Sequence, residues 1–167
     1  MSSVEHELYS EDLHPIDIVE TLAEHHEWDF DRVADDQIAM AIEGSWRTYS
    51  VTLAWSSHDE SLRLICAFDM DPPEASLPRL FELLERANDK CWSGCFTRWP
   101  SQQMMAFRYS LNLAGGATAS AAQISDMVGN AIVSCERFFP AFQMVCWGDE
   151  SPDAALEIAM TEAYGRA

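Results

Sequence analysis

A chain of 167 residues, 48% of them hydrophobic, is long enough for one compact domain with a real core. Aspartate and glutamate number 28 against 10 lysines and arginines, a formal net charge of −18. A surface this acidic repels phosphate backbones, and its arginines and one lysine, Lys90, form no basic stripe, which argues against nucleic-acid binding.

No apolar run approaches the roughly 20 residues of a membrane helix. The acidic start MSSVEHELYSEDLHP lacks the basic and apolar regions of a signal peptide, so the expectation is a cytoplasmic protein with five reduced cysteines and no membrane partner. Residues 1–11 read as a frayed acidic tail and residues 12–167 as one domain. Pro15 suits the first position of a helix in which Ile18, Val19, Leu22, Ala23 and His26 share a face, ending near Glu27. Trp28-Asp29-Phe30-Asp31 alternates as a short edge strand would, outside the five strands of the main sheet, and Asp35-Asp36 turns the chain.

Residues 37–69 carry three alternating runs, the period of strands with one buried face. Ile38, Met40 and Ile42 share a face in the first, Tyr49, Val51, Leu53 and Trp55 in the second, and Leu62, Leu64, Cys66 and Phe68 in the third. After Pro72-Pro73, Ser76 is the expected N-cap of a second helix with Pro78 in its first turn. Its expected stripe is Leu77, Leu80, Phe81, Leu84, Ala87, Asn88 and Cys91, with Leu83 off it. CFTRW (Cys95–Trp99) reads as a fourth strand, and Met105, Phe107, Tyr109, Leu111 and Leu113 alternate along a fifth.

Ser120 and Gln123 match a capping box. From Ile124 to Cys146 one helical face runs through Met127, Val128, Ala131, Ile132, Cys135, Phe138, Phe139, Phe142 and Val145. Pro140 lies inside it and costs about 3 kcal/mol in a helix interior, so the pattern predicts one long helix kinked at Phe139–Pro140. Ser151-Pro152 opens a last helix with Leu156, Ala159, Met160 and Ala163 inward. The fold class is α+β: a five-stranded antiparallel sheet with packed helices in the order α-β-β-β-α-β-β-α, plus a C-terminal helix.

Each chemical constellation has a plainer reading. Asp69-x-Asp71 resembles the paired aspartates of haloacid dehalogenase phosphatases, but proline follows, and its strand belongs to a meander. Gly115-Gly116 before a helix lacks any P-loop signature and reads as a turn. His25, His26, Glu27, Asp29 and Asp31 gather possible ligands, yet adjacent helical histidines point about 100° apart and do not converge on one ion. Cys91 and Cys95 have no zinc or redox spacing, and the other cysteines fall on core faces. No nucleophile has a base placed by a motif. The reading is therefore no enzyme, no cofactor and no metal. Trp92, Phe96 and Trp99 bracket the junction between the second helix and the fourth strand, where large aromatics can anchor a subunit or partner interface.

Three segments, EHHEWDFDRVADDQIAMAIEGSW, LLERANDKCWSGCFTRW and CERFFPAFQMVCWG followed by SPDAAL, resemble the YbjN family of bacterial sensory transduction regulators. The resemblance spans residues 24–163 and implies a fold similar to the class I type III secretion chaperones. Those chaperones are typically homodimers that pair through the helix between the third and fourth strands and the strands after it, here 77–92 and Cys95–Trp99. They grip an extended client segment on apolar surface. The resemblance also associates the chain with stress response and motility regulation and transfers no catalytic residue. The expectation is a non-enzymatic, chaperone-like regulator that binds a protein or peptide client as a homodimer, with Leu84, Trp92, Phe96 and Trp99 as interface candidates. A small-ligand or metal-binding sensor is the alternative.

Overall fold

Alternation along the strands builds one six-stranded antiparallel sheet in the computed structural model, which describes residues 13–165. The elements are α1 (Pro15–His25), β1 (Asp29–Ala34), β2 (Gln37–Glu43), β3 (Thr48–Ser56), β4 (Ser61–Asp69), α2 (Leu77–Asp89), β5 (Cys95–Trp99), β6 (Met104–Asn112), α3 (Ala121–Trp147) and α4 (Pro152–Gly165). The strand order is β1-β2-β3-β4-β6-β5, so β5 lies outside β6 at one edge and β1 forms the other. The expected tail, residues 1–11, and the inward Ala163 side chain lie outside the described residues.

The expected five strands become six. The 28–31 segment extends into β1, which pairs with β2 from Asp29↔Ala41 to Ala34↔Gln37 with a bulge after Arg32. Its polar composition hides it: only Phe30 and the stem of Arg32 turn toward the helices. The Arg32 guanidinium donates to Asp17 at 2.7 Å and to Glu20 at 2.9 Å on α1, so an ion pair takes the place of apolar burial. Each carboxylate–guanidinium contact is solvent-accessible and worth little alone, but together they tie the edge strand to the helix layer.

The helices all pack on one side of the sheet, and the inner residues of each run named above line the core they share. The α3 stripe is buried as its periodicity predicts, with Ile132 half-covered, and the helix continues unbroken through Pro140. Its capping box is present: Gln123 N–H donates to the Ser120 hydroxyl at 3.1 Å, and Ser120 N–H donates to Gln123 Oε1 at 2.8 Å. On α1 the buried residues are Ile16, Val19 and Ala23, while His26 is exposed and stacks on Trp28 at 4.5 Å.

On α2 the buried stripe is Leu80, Leu83 and Ala87, which places Leu83 in the core and leaves Phe81 52% exposed. Ser76 does not cap this helix with its side chain. A 3-10 turn precedes the helix, and the Ser76 hydroxyl donates back to the Pro73 carbonyl at 2.7 Å. The C-terminal helix α4 packs on both α3 and α2, with Asp153 paired to Arg86.

The opposite face of the sheet carries no helix among the described residues. In register across it lie Asp31, Ala39, Thr52, Ile65, Arg108 and Cys95, and beside that row Asp29, Ala41, Ser50, Ala67, Ala106 and Thr97. No described helix is long and apolar enough to cross a membrane.

Candidate functional site

The four interface candidates do not form one surface. Successive strand residues point to opposite faces, so Phe96 and Trp99, an odd number apart, part company. Phe96 is 3% exposed and makes edge-to-face contacts with Phe107, Phe138 and Phe142 at 5.1 to 5.5 Å, which makes it core. This corrects the interface reading for that residue. Trp99 stands half-exposed on the open face of the sheet beside Met104, and Leu84 is half-covered on α2. Trp92 is 99% exposed in the loop between α2 and β5.

What surrounds Trp92 follows from hydrogen bonding. Antiparallel strands turn both backbone polar groups of alternate residues to the same side. Met70 N–H donates to the Gln103 carbonyl at 2.9 Å and Leu113 N–H to the Glu60 carbonyl at 2.8 Å, so odd residues of β6 face β4 and even residues face β5. But β5 covers only Met104 to Arg108. Beyond it, Ser110 and Asn112 direct N–H and C=O groups to a side where no strand lies.

Local residues keep that stretch open. Asn130 on α3 donates to the Ser93 carbonyl at 3.0 Å and draws the loop toward the helix. Gly94 then turns the chain into β5 at φ +106°, with its α-carbon so close to Phe107 and the Arg108 carbonyl that a side chain would clash. Between β6 and the first half of α3 this leaves a groove of about 340 Å³ lined by Tyr109, Leu111, Met127, Asp126 and Asn130, with Gln123 and Ser93 at its ends. Apolar side chains form its floor, a carboxylate lies on its wall, and free backbone groups run along one margin. Such an arrangement holds an extended chain by strand addition.

The neighbouring free edge is closed. The Asn88 side chain on α2 binds both backbone groups of Phe96, occupying the place a strand added to β5 would take. At the far edge, Arg32 donates to the Ala34 and Asp35 carbonyls beside the β1 bulge, and Asp29 and Asp31 charge the strand, two devices that discourage edge pairing.

The remaining constellations stay structural. The Asp69-Met70-Asp71 segment ends β4, which lies between antiparallel neighbours, unlike the parallel sheet of the phosphatases. Arg47 donates to the Asp69 carbonyl at 2.6 Å and Gln103 donates to the Asp71 carboxylate at 3.2 Å. Gly115 and Gly116 both have positive φ, in the turn before Ser120. No three His, Cys, Asp or Glu side chains converge to hold a metal among the described residues.

Buried acids stay protonated. The Cys135 thiol donates to Cys66 Sγ at 3.7 Å, and that bond and then burial raise its pKa. Burial, and next the Glu136 carboxylate, raises that of Tyr49, whose hydroxyl makes no hydrogen bond of good geometry. Burial pushes the Cys146 thiol up to about 11.

Sequence reasoning reached Trp92 but not the groove. Tyr109, Leu111 and Met127 fall on the apolar faces that the pattern assigns to the core, and only the unequal lengths of β5 and β6 leave Tyr109 and Leu111 half-covered over the buried Met127.

Comparison with known proteins supplies the family. No curated protein matches the chain. A solved structure described as "YbjN, a putative transcription regulator from E. coli" is similar over 91% of this chain and 94% of that one, with a TM-score of 0.53 and 11% identity, a likeness of fold. The model of the YbjN family, "Putative bacterial sensory transduction regulator", matches residues 15–144. With that match across most of its length, the chain belongs to the YbjN family.

Proposed function

We propose that this member of the family is a chaperone-like regulatory protein that acts by binding, gripping an extended segment of a protein partner in the groove between β6 and α3. The observation that carries this reading is the stretch of β6 at 109–112, paired with β4 on one side and left by β5 on the other, beside that groove. A bound segment continues the line of β5 and exchanges hydrogen bonds with Ser110 and Asn112. Its alternate side chains enter over Tyr109, Leu111 and Met127. Asp126 and the net charge of −18 favour a basic residue among them. Trp92, next to Ser93 on the margin, offers an aromatic face to whatever docks.

Labelled peptides alternating apolar residues with lysine or arginine test the reading by fluorescence anisotropy. Binding should weaken about tenfold in Ser110→Pro, the worth of one or two hydrogen bonds, and by a similar factor in Asp126→Lys. The Ser110 N–H has no ladder partner, so the proline removes no bond within the sheet. Peptides that bind both variants as tightly as the native chain, or that do not bind at all, contradict it.

A further inference from the structure

The open face of the sheet is independent of the groove, which lies on the helix side of β6. The solvent face of a two-layer antiparallel sheet is ordinarily polar. Here its middle offers Ala39, Ala41, Ala54 and Ile65 to solvent, around the buried Ala67 and Ala106, in a chain with 28 carboxylates. Four of those carboxylates, Asp29, Asp31, Glu43 and Asp69, belong to this face, and Arg63 and Arg108 stand in its middle strands. Arg63 is paired with Asp59 at 2.8 Å. Arg108 is exposed and has no ion-pair partner among the described residues.

We propose that this face is covered by a second copy of the chain, packed sheet to sheet about a two-fold axis that runs along the strands between β3 and β4. The register supplies the argument. That axis reverses the strand order, placing β1 and β2 of one copy over β5 and β6 of the other. In the row Asp31, Ala39, Thr52, Ile65, Arg108, Cys95, each Arg108 then lies over Ala39 of the second copy. The small alanine leaves room for the guanidinium, and Asp31 of that copy is one strand spacing, about 5 Å, further along. Two-fold symmetry makes this contact twice. In the neighbouring row, Asp29, Ala41, Ser50, Ala67, Ala106 and Thr97, the side chains are short, and Ala67 and Ala106 are already buried among their neighbours, so contact there is left to the flanking residues.

Area agrees with this occupant. Six strands about 4.8 Å apart and about 25 Å long give a face of about 600 Å², hence about 1,200 Å² across two copies, the lower end of stable interfaces. Two acidic molecules repel each other, and a middle that bears arginines opposes approach least.

Sedimentation equilibrium of the full chain between about 1 and 200 µM, a range spanning weak to moderate dimers, tests the proposal. The expected mass is that of two copies. Ile65→Arg should give monomers with an unchanged circular-dichroism spectrum and a melting temperature that no longer depends on protein concentration. Arg108→Asp should weaken association about tenfold, as the loss of a charge pair does. Adding Asp31→Arg to Arg108→Asp should restore it, a rescue that no folding defect mimics. A native chain that stays monomeric throughout overturns the proposal, including one whose open face exchanges faster only when residues 1–12 are removed. A dimer indifferent to Ile65→Arg and to the charge exchange places the interface elsewhere and also overturns it. Peptide binding to the groove is unaffected by either outcome.

Discussion

The Asn88 side chain on α2 stands in for a missing strand: its Nδ2 donates to the Phe96 carbonyl at 3.0 Å, and its Oδ1 accepts from the Phe96 N–H at 2.7 Å. One amide thus satisfies the groups that β5 would otherwise offer to another chain at this point. It also fastens α2 to the sheet.

Asn88→Ala should leave both groups half-buried and unpaired, at a cost of about 1–3 kcal/mol. Urea denaturation measures that loss, and amide exchange at Phe96 should accelerate with it. Asn88→Asp keeps the acceptor for the Phe96 N–H and loses the donor, so it should fall between the two. An Asn88→Ala protein as stable as the native one would show that the edge is satisfied by solvent.

Gly44 follows β2, where a β-carbon would collide with the Glu136 carboxylate and meet the buried Tyr49 ring at 2.7 Å. Gly44→Ala should therefore destabilise by about 1–3 kcal/mol, the usual cost of overpacking, read as a lowered thermal midpoint. The Glu136 side chain can swing away, and the ring cannot. Adding Glu136→Ala should accordingly recover only part of the loss.

Alkaline pH should unfold the protein earlier than its surface charge alone would. Burial raises the Cys146 thiol from an ordinary 9.0 to about 11, so the thiolate is favoured in the unfolded chain before it is favoured in the folded one. The contribution is complete below pH 9 and is lost as pH climbs through 11, amounting to about 2 kcal/mol for this thiol. Tyr49 and Cys135, also raised, act in the same direction. Urea midpoints at pH 8, 9.5 and 11 should show Cys146→Ala weaker than the native chain at pH 8, with the gap closing as pH rises. A constant gap would mean that the thiol titrates normally.

Local pattern revealed most of this fold because most of its burial is periodic. The α3 stripe could be followed through Pro140, since packing along 27 residues outweighs one lost hydrogen bond. The inner faces of β2, β3, β4 and β6 were legible for the same reason. Of β1 only the alternation at 28–31 was legible, because beyond it the inward position holds Arg32 paired with Asp17 and Glu20, a contact that depends on α1 and leaves no apolar trace. On α2, Phe81 and Leu83 offered two overlapping stripes, and only the position of the sheet selects Leu83. For the site, the parity of strand residues already separates Phe96 from Trp99. The groove depends on β6 outrunning β5, a relation between distant segments that no window of sequence contains.

Amide exchange at Ser110 and Asn112 tests the binding account most directly. It is measured by NMR on the chain free and then saturated with a tight-binding peptide of alternating apolar and basic residues. Strand addition predicts that both N–H groups, open in the free protein, slow about a hundredfold on binding, while Phe96, already held by Asn88, does not change. A saturated complex in which Ser110 and Asn112 exchange as fast as in the free chain would contradict it.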